Sequence, residues 1–366
     1  MLDEQIIDLE RIGLDLSDCL LCERDGIIGW LCSYVPEEII HASGFHPMRV
    51  RGKGNPIGKA DALLHCNICP FVRSVLDDAV EGDLAYLSGM VFANSCDAMR
   101  RLADAWSLFI KKETSFFLDT PKDTNEISVL YYKEQLHDFA QALSRISPNE
   151  ITNNSLFESI KIFNHTRDLM KEVSRLSSEN LLSGNSAFNI MQMATMCDRV
   201  KFNQKLAQFI DQFSGNREVR NGVRILLTGC IMDQPEQIAL LEDCGAHIVV
   251  NELCSGRRQF DYVVKEGGDP YFALAERYLK KASCARMKDI TGRVQYLLDL
   301  SKENRIDGVI YYIIKFCDHY MWDMSIVRDA LEENDIPVLE VEGDYMQGSF
   351  GPLNTRIQAF VESLQY

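Results

Sequence analysis

The sequence predicts an α/β protein with two parallel-sheet domains and an intervening helical block. Three apolar runs rich in β-branched and aromatic residues each end at a cysteine, and each is followed by a helical pattern. These cysteines are Cys96, Cys230 and Cys317. Strand and helix patterns alternate on both sides of residues 126–215, where strand-like alternation is absent. Such alternation is typical of parallel sheets covered by helices.

Length and charge limit the possible classes of protein. A chain of 366 residues exceeds one ordinary core and suggests two domains. Its net charge of −16 argues against binding nucleic acid, because phosphate neutralisation needs a basic surface. No apolar run approaches the roughly 18 to 20 residues of a membrane helix, and the acidic N-terminus lacks the basic flank of a signal peptide. We therefore expect a cytoplasmic protein, whose twelve cysteines stay reduced.

The first predicted domain covers residues 1–125. It begins with an acidic amphipathic helix over 1–25 and continues with a strand into Cys32, after which Pro36 opens a helix. There Glu37 and Glu38 would suit the positive end of the helix dipole. A second strand is expected near Val50, a strand ends at Cys96, and a short strand covers 116–119. The basic, glycine-rich stretch 49–59 is either a flexible loop or a clamp for anions.

The helical block covers residues 126–215, and the second α/β domain covers 216–366. In the block, apolar residues recur at three- and four-residue spacing, which indicates amphipathic helices. Beyond it, strands are predicted to end at Cys230, Cys254 and Cys317. Helices are predicted over 273–281, 293–304, 325–334 and 354–364, the first of them leading to Cys284.

Thiols at strand ends predict a shared site. Ligands of open parallel sheets collect outside the carboxyl ends of the strands, so thiols placed there should meet in one crevice. Grouped thiolates suit iron–sulfur clusters or zinc, whereas a nucleophilic-cysteine enzyme would need only one of them. Cysteines spread over the whole chain favour a site assembled by the fold over a local zinc knuckle. The candidates at this stage are Cys32, Cys69, Cys96, Cys230, Cys254 and Cys317.

Several cysteines are left out of this set. Cys19 and Cys22 form a C-x-x-C pair without a second pair at zinc-finger spacing, and Cys197 is interpreted as a packing residue. Cys66, three residues before Cys69, is a weaker candidate ligand. The sequence has no Walker A motif and no dinucleotide fingerprint between a strand and a helix, so an ATP requirement would fall on a partner.

An ordered set of motifs resembles the superfamily of 2-hydroxyacyl-CoA dehydratases, benzoyl-CoA reductases and double-cubane-cluster reductases. The motifs are Cys32-Ser33-Tyr34-Val35-Pro36-Glu37-Glu38, Ile68-Cys69-Pro70, Ser95-Cys96-Asp97, Leu253-Cys254-Ser255-Gly256, Lys315-Phe316-Cys317-Asp318 and Glu342-Gly343-Asp344. The resemblance implies two flavodoxin-like (Rossmann-like) domains, a dimer, and oxygen-sensitive iron–sulfur clusters between the domains. It also implies a separate ATP-hydrolysing iron–sulfur activator that supplies low-potential electrons.

The resemblance leaves two branches open. In the dehydratase branch one [4Fe-4S] cluster sits on three cysteines, which match Cys69, Cys96 and Cys317, and an acyl-CoA substrate reacts through a ketyl radical. In the double-cubane branch an [8Fe-9S] cluster needs six thiolates and small unsaturated substrates are reduced. Four further cysteines in family-like contexts favour the second branch, and either Cys230 or Cys284 would complete the six. These four are Cys32, Cys230, Cys254 and Cys284.

The two branches differ in their expected partners. The double-cubane branch predicts a homodimer, and the dehydratase branch predicts a heterodimer with a related subunit. A non-catalytic protein that stores electrons is the third hypothesis.

Polar residues expected near the cluster are His41, His65, Asp97, Asp318, His319 and Tyr320, with Arg257 and Arg258 facing anions.

Overall fold

Two parallel four-stranded sheets form the framework of the protein. The computed structural model describes residues 2–19, 26–110, 114–213, 222–346 and 353–365. The first sheet has the order β2-β1-β3-β4 and the second β6-β5-β7-β8, with every neighbouring pair parallel. The strands are β1 (Ile27–Trp30), β2 (His46–Arg49), β3 (Gly89–Ala93), β4 (Thr114–Leu118), β5 (Val223–Gly229), β6 (Ala246–Glu252), β7 (Gly308–Ile314) and β8 (Val338–Gly343). The predicted α/β class is therefore confirmed.

Helices connect the strands, and a run of helices alone separates β4 from β5 in the sequence. They are α1 (Leu2–Arg11), α2 (Glu37–Ala42), α3 (Pro70–Glu81), α4 (Asp97–Phe109), α5 (Glu126–Ser144), α6 (Asn153–Ser178), α7 (Gly184–Ala194), α8 (Arg199–Gln212), α9 (Pro235–Asp243), α10 (Arg257–Phe260), α11 (Pro270–Lys280), α12 (Ile290–Glu303), α13 (Asp318–Glu332) and α14 (Asn354–Ser363). None of the helices in the described ranges is long and apolar enough to cross a membrane.

The two sheets share a core. One cluster of buried apolar side chains contains residues of α3 and α4, such as Phe71 and Leu102, together with residues of β5 and β7, such as Leu226 and Ile310. Because burial of apolar surface is the main favourable term in folding, this cluster holds the two sheets against each other. The other face of the first sheet packs against α2 and α5.

Helices from different predicted domains pack in one shared core. Helix α11 belongs to the second α/β region in sequence, yet its buried residues Leu274 and Tyr278 join the cluster around Trp30 of β1. Helix α5, from the helical block, lies in the same cluster. The division at residues 125 and 215 stays a prediction.

Glu37 and Glu38 lie in the first turn of α2, at the positive end of its dipole, as predicted. Both carboxylates are also buried, with 2% and 0% of their surface exposed. Glu38 pairs with Arg167 of α6 at 2.5 Å, and Glu37 pairs with Arg199 of α8 at 2.5 Å. These two ion pairs join α2 to α6 and α8.

Local boundaries also differ from the predictions. Helix α1 ends at Arg11, well before residue 25, and residues 20–25 lie outside the described ranges. Helix α13 begins at Asp318, seven residues earlier than predicted, directly after Cys317.

Arg49 is not part of an exposed anion clamp, because its buried guanidinium lies 3.3 Å from the Asp233 carboxylate.

Phe316, between β7 and α13, has a φ of +62°. A bulky residue in the left-handed region carries about 1 to 2 kcal/mol of steric strain, which glycine avoids. We expect Phe316→Gly to be more stable than Phe316→Ala by about 1 kcal/mol, because both remove the ring and only alanine keeps the Cβ. Urea unfolding of the two reduced, metal-free variants measures this difference. Equal stability, or a more stable alanine variant, would contradict the strained conformation.

Candidate functional site

Three predicted cysteines occupy the same position in the local structure. Cys69, Cys96 and Cys317 are the N-cap residues of α3, α4 and α13. The first backbone N–H groups of a helix have no partner within the helix, and the dipole is positive at that end. A thiolate placed there is stabilised by both effects.

The local sequence explains these positions. Pro70 begins α3 directly after Cys69, where a missing N–H costs nothing. Cys96 lies beyond β3, and the carbonyl of the preceding Ser95 accepts a hydrogen bond from Arg286 at 3.1 Å. Cys317 follows the strained turn at Phe316. The pattern of strand, short turn, cysteine and helix is therefore shared by Cys96 and Cys317.

In each sheet the strand order reverses between the two central strands, and a cysteine follows each of these strands. In the first sheet β1 and β3 are central, and Cys32 and Cys96 follow them. In the second sheet β5 and β7 are central, and Cys230 and Cys317 follow them. Open α/β sheets bind ligands in the crevice at this topological switch point.

The three N-cap thiols lie close enough to affect one another's ionisation. Burial raises the pKa of Cys69 most, and negative charge on Cys317 and Cys96 raises it further. Burial likewise raises the pKa of Cys96 to about 12, which the N–H of Met99 opposes. The N–H groups of Phe71 and Val72 act in the same opposing direction on Cys69. A positive centre that binds the thiolates would remove this burial penalty.

Cys230 and Cys317 form a thiol–thiol hydrogen bond. The Cys230 thiol donates to the Cys317 sulfur and thereby lowers the pKa of Cys317, whereas the pKa of Cys230 is raised chiefly by burial and further by this bond. The N–H of Ile314 donates to the Cys230 sulfur at 2.8 Å. Gly229, with a φ of +130°, permits this approach, because a Cβ there would collide with the carbonyl oxygen of Tyr312.

Cys32, Cys254 and Cys284 extend the set on its other side. Charge on Cys32 and on Cys284 raises the pKa of Cys96, and charge on Cys284 raises the pKa of Cys254, after the larger effect of burial in both cases. The hydroxyl of Tyr320 donates to the Cys284 sulfur at 3.6 Å. Through these charge effects each of the seven predicted cysteines is linked to at least one other, and we call the set the thiol cluster: Cys32, Cys69, Cys96, Cys230, Cys254, Cys284 and Cys317.

The remaining described cysteines lie elsewhere. Cys19 and Cys197 are buried and hydrogen-bonded to each other, as expected for Cys197 as a packing residue. Cys66 is exposed, and Cys244 lies near Asn354 of α14. Cys22 lies outside the described residues.

Within the described ranges, no three His, Cys, Asp or Glu side chains converge closely enough to hold a single metal ion.

Some of the polar residues predicted near the site have other roles. His41 contacts Ser159 at 2.8 Å on the far side of α2, and His65 lies in an exposed turn beside Cys66. Arg258 does not face a free anion, because it is buried in a pair with Glu252 at 2.5 Å and donates to the Tyr320 hydroxyl. Arg257 pairs with Asp261. Tyr320 does lie at the thiol cluster.

Sequence reasoning missed three residues of the site. Tyr34 accepts a hydrogen bond from the Cys284 N–H at 3.3 Å, while Lys281 and Arg286 lie over its ring at 5.0 and 4.7 Å. The position of Tyr34 in the Cys32 motif and of Arg286 near Cys284 were available signals. Lys281 offered none, because a lysine at the end of a helix is usually exposed.

The structure defines an α/β protein with two parallel sheets, in which cysteines follow the central strands of both sheets. Residues 32–364 match the family model of the 2-hydroxyglutaryl-CoA dehydratase D-component. The chain belongs to this family, and it is therefore an enzyme or an enzyme subunit.

Named relatives cover nearly the whole chain. The chain is 28% identical to the (R)-phenyllactyl-CoA dehydratase beta subunit of Clostridium sporogenes, over 92% of this chain and 91% of that one. It is 26% identical to a benzoyl-CoA reductase subunit of Thauera aromatica, over 93% and 91%. It is 25% identical to the putative dehydratase subunit YjiM of Escherichia coli, over 98% and 94%. These relatives are named as subunits of dehydratase and reductase systems.

Proposed function

We propose that the protein is a low-potential iron–sulfur reductase of this family, with a double-cubane [8Fe-9S] cluster on the thiol cluster. The observation that supports the proposal is that charge effects link Cys32 and Cys284 to Cys96, Cys230 to Cys317 and Cys69, and Cys254 to Cys284. Cysteines with no shared role would be scattered through the core as apolar fillers. The set suits soft thiolate ligation of iron.

The surroundings of the thiols fit such a group. Cys69, Cys96 and Cys317 each present sulfur to the N–H groups that begin a helix, so hydrogen bonds and the helix dipole favour the thiolate form. Six ligands would be Cys32, Cys69, Cys96, Cys254, Cys317 and one of Cys230 and Cys284. When bound, the cluster would supply one-electron reduction at low potential. The protein's part is to bury the sulfurs, exclude water and orient hydrogen bonds toward them.

The second candidate is the [4Fe-4S] subunit of a 2-hydroxyacyl-CoA dehydratase or a benzoyl-CoA reductase. The names of the relatives favour it. In this case Cys69, Cys96 and Cys317 would be the ligands, and the substrate would be an acyl-CoA. The remaining thiols of the thiol cluster would then not bind iron.

Metal analysis separates the two candidates. Anaerobically purified and reconstituted protein is expected to hold about eight iron atoms per chain in the first case and about four in the second, with matching acid-labile sulfide. Zinc without iron would overturn both. Binding of a CoA thioester with a cluster of about four iron atoms would decide for the second candidate.

We also propose an ATP-hydrolysing iron–sulfur activator as the electron donor, a homodimer as the assembly, and a cytoplasmic location. The related-subunit heterodimer belongs to the second candidate. A reducing compartment would keep the thiolate ligands of such a cluster reduced. Anaerobic light scattering of the purified chain distinguishes a homodimer from a monomer that lacks its partner.

The exposed apolar side chains of α13 support contact with a partner beside the site. Met321, Trp322 and Ile326 expose 46%, 82% and 51% of their surface on the helix that begins after Cys317. Exposed apolar groups of this kind often mark protein interfaces, and tryptophan is enriched among the residues that dominate binding energy.

We expect Trp322→Ser to slow ATP-dependent reduction by the activator about tenfold or more at limiting activator, since loss of a dominant interface residue costs about 2 kcal/mol. Bleaching of the iron–sulfur absorbance measures the rate, and reduction by titanium(III) should be unchanged. Leu108→Ser, at the far end of α4 from Cys96 and 65% exposed, is the matched control. Equal reduction rates for the two variants would show that α13 does not contact the activator.

A further inference from the structure

Buried cations fall into two groups in this protein. Eight arginine and lysine side chains of the described residues are buried. Five of them pair with buried carboxylates: Arg49 with Asp233, Arg167 with Glu38, Arg199 with Glu37, Arg258 with Glu252, and Arg293 with Asp323. Within the described part of the chain, Arg277, Lys281 and Arg286 have no carboxylate partner.

Arg277 and Arg286 are compensated by backbone carbonyls. Arg277 donates to the carbonyls of residues 259, 261 and 262, which is enough to fix that turn. Arg286 donates to those of residues 95, 120 and 121, so it joins the end of β3 to the end of β4. Of these two, Arg286 lies at the thiol cluster, two residues after Cys284.

Lys281 is the least compensated of the three. Its ammonium donates to the carbonyl of Ser33 at 2.5 Å and lies over the rings of Tyr34 and Tyr278 at 5.0 and 5.6 Å. Only 2% of the residue is exposed. One carbonyl and two ring faces do not replace the hydration of an ammonium ion, so an unpaired lysine is costly here.

Nearby negative charge can come from the thiol cluster. Burial lowers the pKa of Lys281, as does the charge of Arg277, whereas negative charge on Cys32 and on Cys254 raises it. Tyr34 connects the two cations, because Lys281 and Arg286 both lie over its ring while its hydroxyl meets the Cys284 N–H. Both cations thus stand next to thiols that are neutral when protonated and anionic when they bind a metal.

We propose that Lys281, whose ammonium is bonded to the carbonyl directly after Cys32 and shares the Tyr34 ring with Arg286, is a built-in counter-charge for an anionic metal–thiolate centre that includes Cys32. The inference rests on the proposed function, since the anion is the ligated cluster. One-electron reduction adds one negative charge to that centre, and the electron comes from the activator or a chemical reductant. A fixed positive charge nearby stabilises the reduced form more than the oxidised form, so Lys281 acts as a positioning residue that raises the reduction potential.

Removal of this charge tests the proposal. Lys281→Met keeps the length of the side chain and is expected to shift the one-electron reduction equilibrium tenfold or more toward the oxidised form, which is a potential about 59 mV lower. Lys281→Arg keeps the charge and should keep the wild-type potential. Lys280→Met is the matched control, because Lys280 lies on the same helix, exposed, in a pair with Glu276. An anaerobic redox titration followed by EPR measures all three.

The metal-free protein gives a second readout with the opposite sign. Without a metal the negative charge of the ligated centre is absent, so the buried ammonium lacks its counter-charge and Lys281→Met should raise the urea midpoint of unfolding. With the cluster loaded, the same variant should release iron to a chelator faster than the wild type. A purely structural role of the bond to Ser33 would lower stability in both forms.

The outcomes separate this inference from the proposed function. A wild-type chain that holds no iron after reconstitution would overturn the proposed function and the counter-charge with it. A loaded wild type whose potential is the same in Lys281→Met as in Lys280→Met would overturn the counter-charge alone. A lower urea midpoint for metal-free Lys281→Met would also overturn it.

Discussion

Exchange of Cys96 or Cys317 for serine is expected to abolish stable iron binding. Each change removes a thiolate held at a helix N-terminus between the two sheets, and serine is a poor ligand for soft iron–sulfur centres. Loss of a supporting contact around a metal site costs about ten- to a hundredfold in affinity, and loss of a direct ligand should cost at least the upper value. Iron and sulfide content after anaerobic reconstitution measures the effect.

Cys66→Ser and Cys244→Ser are the matched controls for this experiment. Cys66 is exposed and only three residues from Cys69, and Cys244 is half-buried at the C-terminal end of α9. Both should keep wild-type iron content. Far-UV circular dichroism of each variant separates loss of the ligand from loss of the fold. Full iron retention in Cys96→Ser or Cys317→Ser would show that the residue is not a ligand.

Removal of the Glu38 carboxylate is expected to cause the largest loss of stability. Arg167 would remain buried without a counter-charge, and breaking one partner of a buried pair costs about 3 to 5 kcal/mol. Burial by itself would raise the pKa of Glu38, but Arg167 and Arg277 lower it below the ordinary value. The pair is therefore charged at neutral pH, and its contribution is lost as the pH falls below the ordinary glutamate range.

Urea unfolding of Glu38→Ala at neutral pH checks this prediction. Glu158→Ala, which removes an exposed carboxylate paired with Lys161, is the control and should change the free energy of unfolding by about 0.5 kcal/mol or less. The Tyr278 hydroxyl also loses an acceptor in Glu38→Ala, which adds to the cost. A loss no larger than that of the control would mean that water reaches Arg167.

The alternation of strands and helices was predictable because its signals are local. β7 is an unbroken apolar run, as expected for a strand buried on both faces, and Pro70 marks the start of α3. A cysteine at the end of such a strand is at the carboxyl edge of a parallel sheet whatever the rest of the fold does. Cys96, Cys230 and Cys317 could therefore each be assigned to the carboxyl edge of a sheet from the sequence.

The ion pairs and the counter-charge were not predictable. Glu37 and Glu38 read as ordinary residues of a helix start, and only the packing of α6 and α8 onto α2 buries them. Lys281 ends a helix in the second half of the chain, and it meets the thiol cluster because α11 packs against the first sheet. Sequence patterns report what a residue's neighbours in the chain require, not which distant segment covers it.

The sequence by itself determined the α/β class, the thiols at the strand and helix ends, and the family to which the chain belongs. The tertiary structure decided that charge effects link seven cysteines spread over more than 280 positions of the chain, and which buried charges lie near them. The physical reason is range: periodicity, capping and turn preferences act over a few residues. Burial and charge pairing depend on contacts between segments that are far apart in the chain.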